Sequence, residues 1–192
     1  MGMVYFLAWG LAGWLMGAAV NLLSDHLPKY TQASRPSCIQ CGNTLSWGMF
    51  LALKRCSSCG LRRSIRSWIV QLGIPILAIA IWILPHERIP SYISFILLSY
   101  FVLVAVIDIE HRLILGPISL AGIVLGILTG IILHDVPMTA IGGIAGAAIM
   151  FILYQMGRLF SGWLSRRRGE PVDEEALGFG DVYIAAIIGR IL

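Results

Sequence analysis

Long apolar runs constrain this chain more than any other feature. They cover residues 3–23, 68–84, 91–109, 113–133 and 137–160. A hydrocarbon layer about 30 Å thick takes roughly 20 helical residues to cross. Inside it the backbone finds no water, so every N–H and C=O must be satisfied within the segment, and a helix does that. A sixth run begins near Ala176 and continues to residue 192. Counted from Leu177 it would reach only about 24 Å as a helix, so the last segment reads as shortened at its C-terminal end. The first run has no Lys or Arg before it. It lacks the charged start of a secretory signal and reads as a retained helix.

Composition agrees: 58% of the 192 residues are hydrophobic and 12% charged, against about a quarter charged in a soluble domain. The net charge of +4 does not argue for nucleic acid, because the cations sit in short segments beside the apolar runs. Lys29, Arg35, Lys54, Arg55, Arg62, Arg63, Arg66, Arg112, Arg158, Arg166, Arg167 and Arg168 fall on one side of the alternating runs, whereas the intervening turns hold Arg88 and no other cation. The positive-inside rule then puts the N-terminus outside and segment 24–67 in the cytoplasm. The expected fold is an all-α, polytopic transmembrane bundle of about six helices, divided as helix 1–23, polar loop 24–67 and membrane domain 68–192. Gly122, Gly126 and Gly130, with Gly142, Gly143 and Gly146, predict close helix contacts in the fourth and fifth runs.

The polar loop holds all four cysteines, as Cys38-x-x-Cys41 and Cys56-x-x-Cys59. Paired C-x-x-C turns at this separation are the spacing of a four-thiolate zinc site. A cytoplasmic location argues against disulfides. Four protein ligands leave no open position for water, so such a zinc ion is structural rather than catalytic.

Two acids lie within or beside the apolar runs. Asp108 closes the third run in Val-Ala-Val-Ile-Asp, and Asp181 follows Gly178-Phe179-Gly180 at the start of the sixth. A carboxylate in a membrane helix costs at least ~2.5–3.5 kcal/mol and normally faces a wet cavity where it has a task. Two carboxylates brought together cannot both ionise easily, so one stays charged to activate water while the other keeps a proton to polarise a carbonyl. Gly178 and Gly180 would let a substrate strand approach that acid. The structural alternative makes Asp108 an interfacial partner of Glu110 and Arg112, and Asp181 a helix N-terminal acid favoured by the dipole. His111 beside Asp108 reads as a solvated interfacial histidine.

These motifs, taken in order over the whole chain, resemble the type IV prepilin peptidases, the bacterial membrane proteases that trim prepilin and pseudopilin leaders. The segment from Gly17 through Asn21 to Pro28 is similar to the family's Gly-Ser-Phe-Leu-Asn…Arg-Leu-Pro. The paired cysteines resemble its zinc domain, and Asp108 and Asp181 match its two catalytic aspartates. Departures are Ile114-Leu115-Gly116 in place of Ile-Pro-Asp or Ile-Pro-Asn, Tyr183 in place of Lys, and Gln71 in place of Glu. The family's two further helices are also missing.

The resemblance implies an aspartic endopeptidase of the bacterial inner membrane, acting on prepilins of type IV pili and type II secretion at the cytoplasmic boundary. It also implies N-methylation of the product with S-adenosylmethionine, for which no glycine-rich donor loop is visible. The competing expectation is a catalytically inactive membrane scaffold whose zinc loop docks a partner. An ion carrier would need more polar residues in mid-helix. The acidic run of Glu170, Asp173, Glu174 and Glu175 reads as a solvated loop. If it meets the basic leader of a prepilin, reversing its charge raises KM for leader cleavage; an unchanged KM leaves it a solvated loop.

Overall fold

The computed structural model describes residues 2–30, 35–84, 89–111, 116–168 and 179–191. Arg88, Arg112, Ile114, Leu115, Gly178 and the acidic run 170–175 lie outside these residues. Regular structure within them is helical: α1 (Gly2–Tyr30), α2 (Trp47–Leu51), α3 (Ile65–Ile83), α4 (Ser91–His111), α5 (Gly116–Leu133), α6 (Val136–Arg168) and α7 (Phe179–Ile191). An isolated bridge joins Ser37 and Thr44. Helices α1, α3, α4, α5 and α6 are long and apolar enough to cross a membrane, as the five apolar runs predict. The all-α expectation therefore holds. Helix α7, with 13 residues, is not among the five. Helix α6 runs on past its apolar stretch through Arg166, Arg167 and Arg168, because a helix need not end where its lipid-facing residues do.

The chain forms two compact units, Met1–Leu113 and Ile114–Leu192. In the first, α1 and α3 lie antiparallel along a seam with four steps. A Cβ on Gly13 would come within 2.5 Å of the Pro75 Cα, and one on Gly17 within 3.2 Å of the Gln71 Cα. Next, the Asn21 amide donates to the Ser67 carbonyl (3.0 Å) and to Gln71 Oε1 (3.2 Å). Gln71 Nε2 in turn donates to the Trp14 carbonyl at 2.7 Å. Last, Asp25 meets Arg63 and Arg66. Helix α4 closes the unit over Val20, Val70, Ile74, Ala78 and Phe95, with Trp9 edge-on to Phe95 at 5.7 Å.

In the second unit, α7 packs closely on glycines of α6 and α5. A Cβ at Gly142 would overlap the Gly189 carbonyl, one at Gly146 the Ala185 carbonyl, and one at Gly130 the Arg190 carbonyl. Gly126 faces Ile187 at 3.2 Å. In lipid, where apolar burial gives no drive between helices, such approach supplies the packing energy. Gly126, Gly130, Gly142 and Gly146 thus make the close contacts that their spacing predicts.

These contacts make opposite substitutions distinguishable. Gly142→Ala should lose about 1–3 kcal/mol to overpacking and lower the melting temperature in detergent. Gly73→Ala, with nothing within 4 Å of the added carbon, should leave it unchanged or raised. Equal melting of the two variants would remove the close-contact account.

Candidate metal centre and membrane carboxylates

The two C-x-x-C segments fold into matching knuckles. Cys38 N–H donates to the Asn43 carbonyl (2.9 Å) and Gly42 N–H to the Cys38 carbonyl (2.9 Å). In the second, Cys56 N–H donates to the Leu61 carbonyl (3.0 Å) and Gly60 N–H to the Cys56 carbonyl (2.9 Å). Gly42 and Gly60 turn the chain at φ of 72° and 69°, with nothing within 4 Å of an added Cβ. Glycine is therefore wanted there for its backbone conformation and not for room. Asn43 Nδ2 ties the knuckles together through Ser58 Oγ at 2.9 Å.

Between the knuckles lies α2, capped by Ser46, whose hydroxyl accepts from Met49 N–H at 3.4 Å. It ends on Leu53 at φ 50°, a left-handed position usually given to glycine. Lys54 N–H returns to the Met49 carbonyl at 3.0 Å. Leu53 is buried, and that burial offsets the cost of its backbone.

All four sulfurs fall within 4.8 Å of one another, with Cys38–Cys59 at 3.5 Å and Cys41–Cys56 at 3.7 Å. Metal–sulfur bonds of about 2.3 Å in a tetrahedron put sulfurs roughly 3.8 Å apart. The set fits a tetrahedral metal ion, and the predicted ligands are all brought together.

Their acidities are unequal. Cys56 is lowered to about 6, first by the Cys59 backbone N–H and then by that of Ser58. Cys38 is lowered too, chiefly by the backbone N–H of Cys41. For Cys59 the Leu61 N–H pulls downward, yet desolvation and the Cys38, Cys56 and Cys41 sulfurs outweigh it and push the thiol up to about 12. Cys41 is raised in the same way against the Asn43 N–H, through desolvation, Cys38 and Cys56. Four thiolates this close need a cation.

A lattice of charge joins this loop to the helix ends. Arg63 Nη1 lies 3.5 Å from Asp25 Oδ2, and its guanidinium stacks over the Phe50 ring at 4.5 Å. Arg66 bridges Asp25 on α1 and Glu110 on α4. His111 Nε2 adds a contact to Glu110 at 3.9 Å. Desolvation lowers the Arg63 pKa, opposed first by the Asp25 carboxylate and then by Cys38. Sequence reasoning missed this lattice because its members are far apart along the chain. The one available signal was the fourfold spacing of Gly13, Gly17, Asn21 and Asp25.

The two candidate acids lie in different units. Asp108 is exposed near the end of α4, at the end of the first unit that carries the cysteine loop. Asp181 is half-buried in the first turn of α7, in the second unit, and Gly180 precedes it in the same turn. Because α7 runs parallel to α5, with Gly126 by Ile187 and Gly130 by Arg190, Asp181 lies toward the end of that unit where α5 begins.

Residues 95–192 match the model of the type IV leader peptidase family. Three similar relatives each carry the name prepilin leader peptidase/N-methyltransferase. The Myxococcus xanthus protein is 32% identical over 94% of this chain and 54% of its own length. The Klebsiella pneumoniae protein is 27% identical over 98% and 87%, and the Vibrio cholerae protein 24% identical over 100% and 79%. The chain thus spans about half the length of the Myxococcus relative. No solved structure matches it. A membrane helix bundle, a four-cysteine centre and a family match that takes in both Asp108 and Asp181 lead to one assignment: the chain belongs to the type IV leader peptidase family.

Proposed function

We propose that the chain is an aspartic endopeptidase of the bacterial inner membrane that removes leaders from prepilins and pseudopilins, with Asp108 and Asp181 as its catalytic pair. The observation that carries this is the division of labour among the acids at the end of α4. Glu110 is held by Arg66, while Asp108, two residues earlier, is exposed. The names of the relatives supply the substrate class.

In this mechanism the ionised carboxylate takes a proton from water as its oxygen attacks the scissile carbonyl. The protonated carboxyl donates a hydrogen bond to the carbonyl oxygen. The tetrahedral intermediate then collapses as a proton passes to the leaving amine. Having no side chains, Gly178 and Gly180 would let an extended substrate approach the acid. On this reading the cysteine centre and both acids face the cytoplasm, with the N-terminus outside, a topology that the positive-inside bias of the sequence supports. The reading extends to N-methylation of the new terminus from S-adenosylmethionine, a chemistry that the relatives' name includes.

The metal at Cys38, Cys41, Cys56 and Cys59 is zinc on this reading. It closes a loop too small to hold itself together by apolar burial. Its chemistry is structural, and no reacting atom belongs there.

Asp108→Asn and Asp181→Asn should each lower leader cleavage at least about a thousandfold, leaving helix content and zinc stoichiometry intact. Substantial cleavage by either variant rejects the pair. An inactive parent chain would instead favour the scaffold in which the zinc loop docks a partner.

Zinc uptake at pH 7 should release at least two protons, because the Cys41 and Cys59 thiols titrate above the ordinary cysteine value and must ionise to bind. Affinity therefore rises with pH, and zinc is shed on acidification. Calorimetry in buffers of different ionisation enthalpy measures the release, and zero release contradicts thiolate ligation.

A further inference from the structure

Arg63 is an unusual cation for its position. Only 9% of its side chain is exposed, whereas Lys54, Arg55 and Arg62 are exposed to water. Its one carboxylate neighbour among the described residues, Asp25, is shared with Arg66, and its Nη2 is buried with no hydrogen-bond partner among them. A buried guanidinium with half a counter-ion is costly unless another anion lies close. Arg63 lines a cavity of about 240 Å³ together with Cys38 and Cys56, the two buried cysteines of the cluster. Four thiolates around a dication carry a net charge of about −2, and that is the missing anion.

We propose that Arg63 is the outer counter-ion of the metal centre and the strut that fixes it to the helices. Its guanidinium balances the tetrathiolate from the buried side. Its contacts with Phe50 and Asp25 carry the loop's position to α1, and through Arg66 to the end of α4. The inference rests on the zinc reading above. Arg63 touches no reacting atom, so it is a positioning residue.

The test uses the full chain in detergent, with zinc affinity measured by competition against a chromophoric chelator. Arg63→Gln should weaken zinc binding about 10–100-fold, the usual range for an outer-shell partner. Arg62→Gln, which removes the same charge from an exposed site, should change it less than about threefold. Asp25→Asn, which touches no ligand, should also weaken zinc binding several-fold by freeing Arg63. In cobalt-loaded protein the sulfur-to-metal absorption should shift in Arg63→Gln and not in Arg62→Gln. Arg63→Met keeps the stem over Phe50 and replaces Arg63→Gln if that variant does not fold. Equal affinities and spectra for the Arg63 and Arg62 variants overturn the proposal while leaving the zinc reading in place. A parent chain that binds neither zinc nor cobalt overturns both.

Discussion

The antiparallel seam between α1 and α3 sets the terms for the rest of the first unit. Each step of four residues along α1, from Gly13 to Gly17 to Asn21 to Asp25, meets a step of four back along the facing segment, from Pro75 to Gln71 to Ser67 to Arg63. The contact changes in kind as it goes. Deep in the helices it is backbone against backbone, then amide against amide and carbonyl, and finally charge against charge. That order follows the solvent. An ion pair at Gly13 would meet hydrocarbon, and a glycine at Asp25 would forfeit the attraction available near water. The gradient also sets the register, because a slip by one turn would put Asp25 opposite Ser67 and leave Arg63 buried without a carboxylate.

The two units solve the same packing problem differently, and the sequence reveals the solutions unequally. Glycine clusters on α5 and α6 are visible as spacing; Gly142 and Gly146 of α6 meet the equally small Gly189 and Ala185 of α7, whereas Gly126 of α5 meets Ile187. The five crossing helices and the cysteine centre are legible for a similar reason, since each rests on a local pattern. Helix ends were less legible: α1 reaches Tyr30 and α6 reaches Arg168, each beyond the apolar run that signalled it. Least legible was the lattice of Asp25, Arg63, Arg66 and Glu110. Its members come from α1, the loop, α3 and α4, and nothing in the local sequence of any one names its partners. Arg63 reads there as one more cation in a basic loop, and only its burial separates it from Arg62.

The lattice also bears on how the acids at the end of α4 divide their roles. Residues two apart on a helix point about 200° away from each other. The turn that aims Glu110 at Arg66 therefore aims Asp108 elsewhere. Exchanging the two acids would break the lattice, since it needs its carboxylate on the face toward α3. Glu110 fixes the helix end, and Asp108 takes no part in that contact. Resemblance had already singled out Asp108, but the contact of Glu110 with Arg66 gives a physical reason for preferring one of two neighbouring acids.

The four-cysteine cluster is linked to the end of α4 by a chain of side-chain contacts. The knuckles hold α2 between them, α2 presents Phe50 to Arg63, and Arg63 shares Asp25 with Arg66, which grips the end of α4. The contacts among Phe50, Arg63, Asp25 and Arg66 join buried or half-buried side chains, so salt weakens them little, whereas Glu110 is exposed and its contact with Arg66 is open to screening. Loss of the metal would free the knuckles to separate, and four mutually repelling thiolates would favour that. Phe50 would then leave the guanidinium, and Asp25 would be divided differently between two arginines. The helix end carrying Asp108 is thus tied, through four contacts, to whether four sulfurs hold an ion.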